Sequence, residues 1–174
     1  MSKVEYVLGI TPSQIAAFQA TPALAEVAAR GNYRDPRLQL IGRFEPPLGL
    51  GTAWNILHYL FTGHADEAPA PGDQLLGGQP IGPALAYGPA RLQDPVATAD
   101  FAAFLAGLDP DRLVARIDVG KMADLGVYGL PPGAADDPTA AATVAEAVRS
   151  YFPPLKAYVS QMAGKGSGLL VWQA

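Results

Sequence analysis

Residues 48–63 read LGLGTAWNILHYLFTG, and the rest of the chain is arranged around them. Wound at about 100° per residue, the stretch places Leu50, Ala53, Trp54, Ile56, Leu57, Leu60 and Phe61 on one side. Gly51, Thr52, Asn55, Tyr59 and Thr62 fall on the other, and His58 sits at the seam one turn after Trp54. Gly63 stands where a helix C-cap is expected, because glycine enters the left-handed conformation without a Cβ penalty. The spacing predicts a helix from Leu50 to Gly63 with one face on a core.

Working outward, Val4 to Leu8 is a short β-type run ending at Gly9, an opening strand. Thr11-Pro12-Ser13-Gln14 is a helix start: Thr11 caps, Pro12 takes the first helical position and Gln14 completes a capping box. Thr21-Pro22 repeats the signal for a second helix ending at Gly31, and Arg37 to Phe44 alternates weakly, as a strand would. Downstream, residues 64–83 form a Pro/Gly-rich loop, either a solvated connection or a flap over a site. Ala84 to Tyr87 predicts a strand running into the loop Gly88-Pro89-Ala90-Arg91. Asp94-Pro95, Asp109-Pro110 and Asp118 each start a helix. Asp137-Pro138 starts another, which Pro153-Pro154 should break at Phe152, with a second helix continuing to Gly164. Gly168 to Trp172 reads as a terminal strand buried on both faces. The count is about four strands and six or seven short helices.

Composition narrows the function classes. A chain of 174 residues with 49% hydrophobic and 16% charged residues forms one domain with a real core. Nineteen glycines and seventeen prolines predict many short elements and loops. The net charge is −4 and no window clusters Lys or Arg, which argues against a phosphate-tracking nucleic-acid surface. An acidic surface is compatible with a basic partner. There is no cysteine, so disulfides, thiolate nucleophiles and cysteine-type metal sites are excluded. Glu5 interrupts what would be the apolar part of a signal peptide, and no apolar run approaches a membrane span. A soluble, cytoplasmic protein is expected, with no membrane partner.

Several segments in order resemble the YfbM-like family, a bacterial family carried as a domain of unknown function. They are the Trp54-x-x-x-His58 helix, Gly77-Gly78, Tyr87-Gly88-Pro89-Ala90-Arg91, Val127-Tyr128, Phe152-x-x-Leu155-x-x-Tyr158 and the closing Val171-Trp172. The resemblance covers nearly the whole chain, residues 1–174, as one domain. It implies an α/β (mixed α+β) fold, a small mixed sheet of about four strands covered by helices on both faces. It implies no reaction. Where relatives commonly carry charges ahead of the Trp helix, this chain has Gly49, Gly51 and Thr52.

Candidate chemistry is sparse. His58 has the ordinary pKa of an acid–base group and an aromatic neighbour, but the sequence names no orienting carboxylate; a histidine bonded to a loop carbonyl is the simpler reading. Arg91, leaving a strand end, is placed to clamp a carboxylate or phosphate, or to satisfy buried carbonyls. Gly77-Gly78 lacks the Lys-Ser/Thr of a phosphate loop, and His58 and His64 do not share a metal-binding helix face. No cofactor or metal is expected. Two classes remain. The first is a non-catalytic binding or inhibitory, immunity-like protein recognising another macromolecule, with a protein as the expected partner. The second is an enzyme or small-molecule binder whose pocket gathers Trp54, His58, Tyr87, Arg91 and Tyr128, with the 64–83 loop as lid.

Overall fold

The computed structural model describes residues 2–174. Its elements run β1 (Glu5–Ile10), α1 (Pro12–Ala20), α2 (Ala23–Ala29), α3 (Pro36–Gln39), β2 (Leu48–Gly49) and α4 (Trp54–Thr62). Residues 64–78 hold turns but no helix or strand, and we call them the strap. Then follow β3 (Gln79–Leu85), β4 (Gly88–Gln93), α5 (Pro95–Ala106), α6 (Pro110–Val114), α7 (Val119–Asp124), α8 (Ala140–Gly164) and β5 (Gly168–Gln173). The strands form one open antiparallel sheet in the order β2-β1-β5-β4-β3. This is a mixed α/β single domain, with five strands where the sequence suggests about four; β2 is two residues long.

Strand alternation splits the domain into two cores. The register pairs Tyr6 with Trp172 and Leu8 with Leu170 on one face. There α1, α2 and α3 bring Ile15, Phe18, Leu24 and Leu38 against Leu8, Ile10, Leu92 and Leu170. On the other face Val7, Leu169 and Val171 meet residues of α4 to α8. Phe61 anchors that larger core, its ring meeting Phe101, Phe104 and Phe152 edge-on at 6.4, 6.0 and 5.9 Å. Each such buried ring contributes roughly 1.5–3 kcal/mol by burial alone.

The capping logic holds at most helix starts. Thr11 and Gln14 form the capping box of α1, and Asp94, Asp109 and Asp118 each accept from backbone N–H groups of α5, α6 and α7. Gly63 ends α4 in the left-handed conformation, as expected.

Four expectations are corrected. The central helix begins at Trp54, not Leu50, and it is buried all round: Asn55 and Tyr59, on the expected polar side, are as hidden as Leu57. A helix enclosed on every side needs its polar groups bonded inside; Asn55 and the Nε2 of His58 are, whereas His58 Nδ1 and Trp54 Nε1 are buried without a partner. The segment 37–44 is not a strand, because Asp35 caps and Pro36 opens the short helix α3. The strand read at 84–87 is a hairpin, β3 and β4 joined through Ala86 and Tyr87. Pro80 and Pro83 are tolerated because β3 is a sheet edge with a bulge between Ile81 and Ala84, and the strap ends before Gln79. Finally, α8 runs unbroken through Pro153 and Pro154. Both prolines, and the carbonyls of Arg149 and Ser150 they leave unbonded, lie on the exposed side, while Phe152 and Leu155 stay fully buried. On that side the freed carbonyls are open to solvent, and inner-face packing keeps the axis continuous.

Candidate functional site

Of the five residues singled out in the sequence, Trp54, Tyr87 and Tyr128 are linked directly or through Lys3, while His58 and Arg91 bond residues 64–78. Trp54 stacks on Tyr128 at 5.9 Å. The Tyr128 hydroxyl accepts from the Lys3 amide at 2.7 Å, and the Lys3 ammonium lies over the rings of Tyr87 and Tyr128 at 5.3 and 6.0 Å. Two residues on, at the start of β1, Glu5 is completely buried. Its carboxyl group meets the Arg91 guanidinium at 3.4 Å and accepts from Gln173 at 3.2 Å.

His58 and Arg91 are both spent on the strap. The His58 Nε2–H donates to the Asp66 carbonyl at 2.5 Å, the only role a carbonyl partner permits. Arg91 donates to the Leu75 carbonyl at 2.9 Å. Asn55 donates to the Ala65 carbonyl at 2.7 Å and accepts from the Tyr128 amide at 2.7 Å, while Gln93 donates to the Gln74 carbonyl. Four side chains thus tie down fifteen residues that have no ladder of their own. Burial lowers the pKa of His58, against the pull of the Asp66 carbonyl bond, so the imidazole stays neutral. Burial raises Glu5 to about 8, outweighing the attraction of Arg91 and the bond from Gln173. The sequence reading missed Glu5 as a site residue. Its signal was a lone carboxylate in a strand whose partner, β5, is buried throughout and apolar up to Trp172.

The open site lies on the opposite face. A cleft of about 460 Å³ is lined by Tyr6, Tyr33, Pro47, Leu85 and Trp172, with Arg30 at its rim. Tyr6 stacks on Trp172 at 5.3 Å and Tyr33 tilts over Phe44 at 5.5 Å. Past Tyr33 a second hollow of about 390 Å³ is lined by Phe44, Gly42 and Arg43. The Tyr33 hydroxyl is buried with no hydrogen-bond partner, and burial raises its pKa. Neither hollow is lined by a carboxylate or imidazole side chain. The cleft also corrects the reading of the basic residues: Arg30, Arg34, Arg37 and Arg43 fall within fourteen residues, a local density hidden by the net charge.

Among the described residues no group of His, Cys, Asp or Glu is placed to hold a metal ion. No helix is long and apolar enough to cross a membrane. The family described as "Domain of unknown function (DUF1877)" matches residues 1–172. The chain belongs to the DUF1877 family. A solved structure of a protein of unknown function, YfbM from Escherichia coli, shares the DUF1877 fold seen here. It superposes with a TM-score of 0.68 at 16% sequence identity, over 97% of this chain and 98% of that one. No curated protein matches. At that identity the likeness speaks for the fold alone, and the reading of this DUF1877 site rests on its own residues.

Proposed function

We propose that this DUF1877 chain is a cytoplasmic, non-catalytic binding protein that recognises another protein by seating an apolar side chain of it in the aromatic cleft. One observation carries the reading: the open cleft offers aromatic rings and no carboxylate or imidazole side chain, while Glu5 and His58 are buried and His58 and the half-buried Arg91 bond the carbonyls of the strap. Aromatic-walled hollows of this size suit anchor residues, because a ring buries a large area with few rotatable bonds. An inhibitory, immunity-like role is the simplest version, since neutralising a partner needs only shape and charge. The rival, an enzyme working around His58, Tyr87 and Arg91, requires the strap to leave.

The test fills the cleft without touching the core. Ala86 is exposed and lines the cleft at the hairpin turn, so Ala86→Arg projects a long side chain from a tolerant position. Tagged wild-type and variant proteins are used to recover partners from the source cells, with quantification by mass spectrometry. The reading expects one stoichiometric protein whose recovery falls at least about tenfold in the variant. Equal recovery by both proteins refutes the cleft as the contact.

A further inference from the structure

The net charge of −4 is compatible with a basic partner, but exposed arginines gather at the cleft. Arg30 lines the half built by Tyr6 and Trp172, and Arg43 lines the half built by Phe44, with Tyr33 shared between them. Arg34, next in the chain to Tyr33, is also exposed. Nearby carboxylates are already engaged: Glu26 with Arg30 at 2.8 Å, Asp35 with Arg37 at 2.8 Å and Glu45 with Lys165 at 2.7 Å. Among the described residues neither Arg34 nor Arg43 is in an ion pair. The site therefore joins two chemistries, an aromatic slot for one apolar side chain and an exposed arginine ledge on which Arg30 shares Glu26 while Arg34 and Arg43 are in no ion pair among the described residues.

We infer that the partner presents an acidic segment, an apolar or aromatic residue flanked by Asp or Glu, whose anchor fills the Tyr6–Trp172 half while its carboxylates meet Arg30 and Arg43. This rests on the binding reading above and names the chemistry of what is bound. Guanidinium groups bind carboxylates through paired N–H donors, and an apolar floor beside them limits competition from water. Charge complementarity of this kind sets partner choice and association rate more than bulk affinity. A single-stranded nucleic acid also combines anionic groups with flat rings. It is disfavoured because backbone tracking needs a run of cations, and the chain as a whole repels polyanions.

The probe is a displayed library of random twelve-residue peptides, selected on the wild-type chain, with a twelve-nucleotide oligouridine titrated in parallel. Selected peptides are measured against wild type, Ala86→Arg and the double variant Arg30→Glu/Arg43→Glu. Both variants alter exposed positions, and circular dichroism confirms that they are folded. The inference expects peptides enriched in an apolar residue flanked by Asp or Glu. Their affinity should fall at least about tenfold in the double variant at roughly 0.05 M salt, and the gap should shrink to under about threefold near 0.5 M. Peptides that lose affinity in Ala86→Arg but are neutral or basic, and indifferent to the arginine reversal, overturn the acidic partner and leave the cleft reading standing. Peptides indifferent to Ala86→Arg, or no enriched peptide at all, overturn both. Oligouridine binding that the double variant abolishes, in competition with the peptides, overturns the peptide in favour of nucleic acid.

Discussion

The buried carboxyl group of Glu5 should make this fold lose stability as the solution turns alkaline, and Glu5→Gln should abolish that loss. Glu5 has no solvent exposure, and desolvation raises its pKa from the ordinary 4.5 to about 8 despite Arg91. Between those two values the folded chain holds a proton that the unfolded chain has released. Stability is therefore complete below pH 4.5, declines as the pH rises and levels off above about 8. The interval between the two pKa values caps the loss at roughly 5 kcal/mol, at about 1.4 kcal/mol for each pH unit. Local relaxation and water entry reduce it, so roughly 2–4 kcal/mol is the working expectation. The assay is urea unfolding followed by circular dichroism at half-unit steps from pH 5 to 9, for wild type and Glu5→Gln. Glutamine keeps the shape and removes the proton equilibrium, so the two proteins should agree near pH 5 and diverge towards pH 8, with the variant the more stable. A difference that changes by less than about 1.4 kcal/mol over that range refutes the argument, and would mean that Arg91 holds the carboxylate ionised.

Three further outcomes follow from the same packing. Gly168→Ala should cost about 3 kcal/mol in denaturant unfolding, because a Cβ there would stand 2.3 Å from the backbone oxygen of Gln93, which cannot yield as a side chain would. Asn55→Ala should cost roughly 2–4 kcal/mol by the same measurement, since it leaves the Ala65 carbonyl and the Tyr128 amide unpaired inside the fold. His58, held neutral by burial, should make the folded state lose stability as the pH falls below the ordinary imidazole value. Measured between pH 5 and 7 in the Glu5→Gln background, that slope should vanish in His58→Gln.

How much the sequence disclosed depended on whether the answer was local. Thr11, Asp94, Asp109 and Asp118 signalled helix starts correctly because a cap bonds its own first turn. The proline rules misled at both hairpin and helix. Pro80 and Pro83 are compatible with a strand only at a sheet edge, and Pro153-Pro154 with a helix only when the freed carbonyls face water. Edge position and exposure are tertiary facts that no window reveals. The candidate site divides the same way. His58 and Arg91 were singled out for their chemistry, with a loop or buried carbonyl as the simpler partner, but only the structure shows that those carbonyls are Asp66 and Leu75 of residues 64–78. The cleft draws on Tyr6, Tyr33, Pro47, Leu85 and Trp172, spread over almost the whole chain and joined by the β1–β5 register and the β3–β4 hairpin. Nothing in their spacing marks them as a set.

Strand alternation also separates the two halves of the argument in space, which gives it a reciprocal test. In β1, Glu5 faces the strap and Tyr6 faces the cleft; across from them in β5, Gln173 bonds Glu5 and Trp172 stacks on Tyr6. The polar interior and the binding surface therefore use different side chains of the same strands, with Gln173 common to both: it bonds Glu5 and lines the cleft. Substitutions on opposite faces that meet only through Gln173 should act nearly independently, within about 0.5 kcal/mol. Glu5→Gln should then leave the affinity for selected peptides within about twofold of wild type, and Ala86→Arg should leave the pH dependence of stability unchanged. A strong effect of Glu5→Gln on binding would mean that the strap face takes part in recognition. The aromatic cleft would then be only one wall of a larger site, with the buried carboxyl group linked to its occupancy.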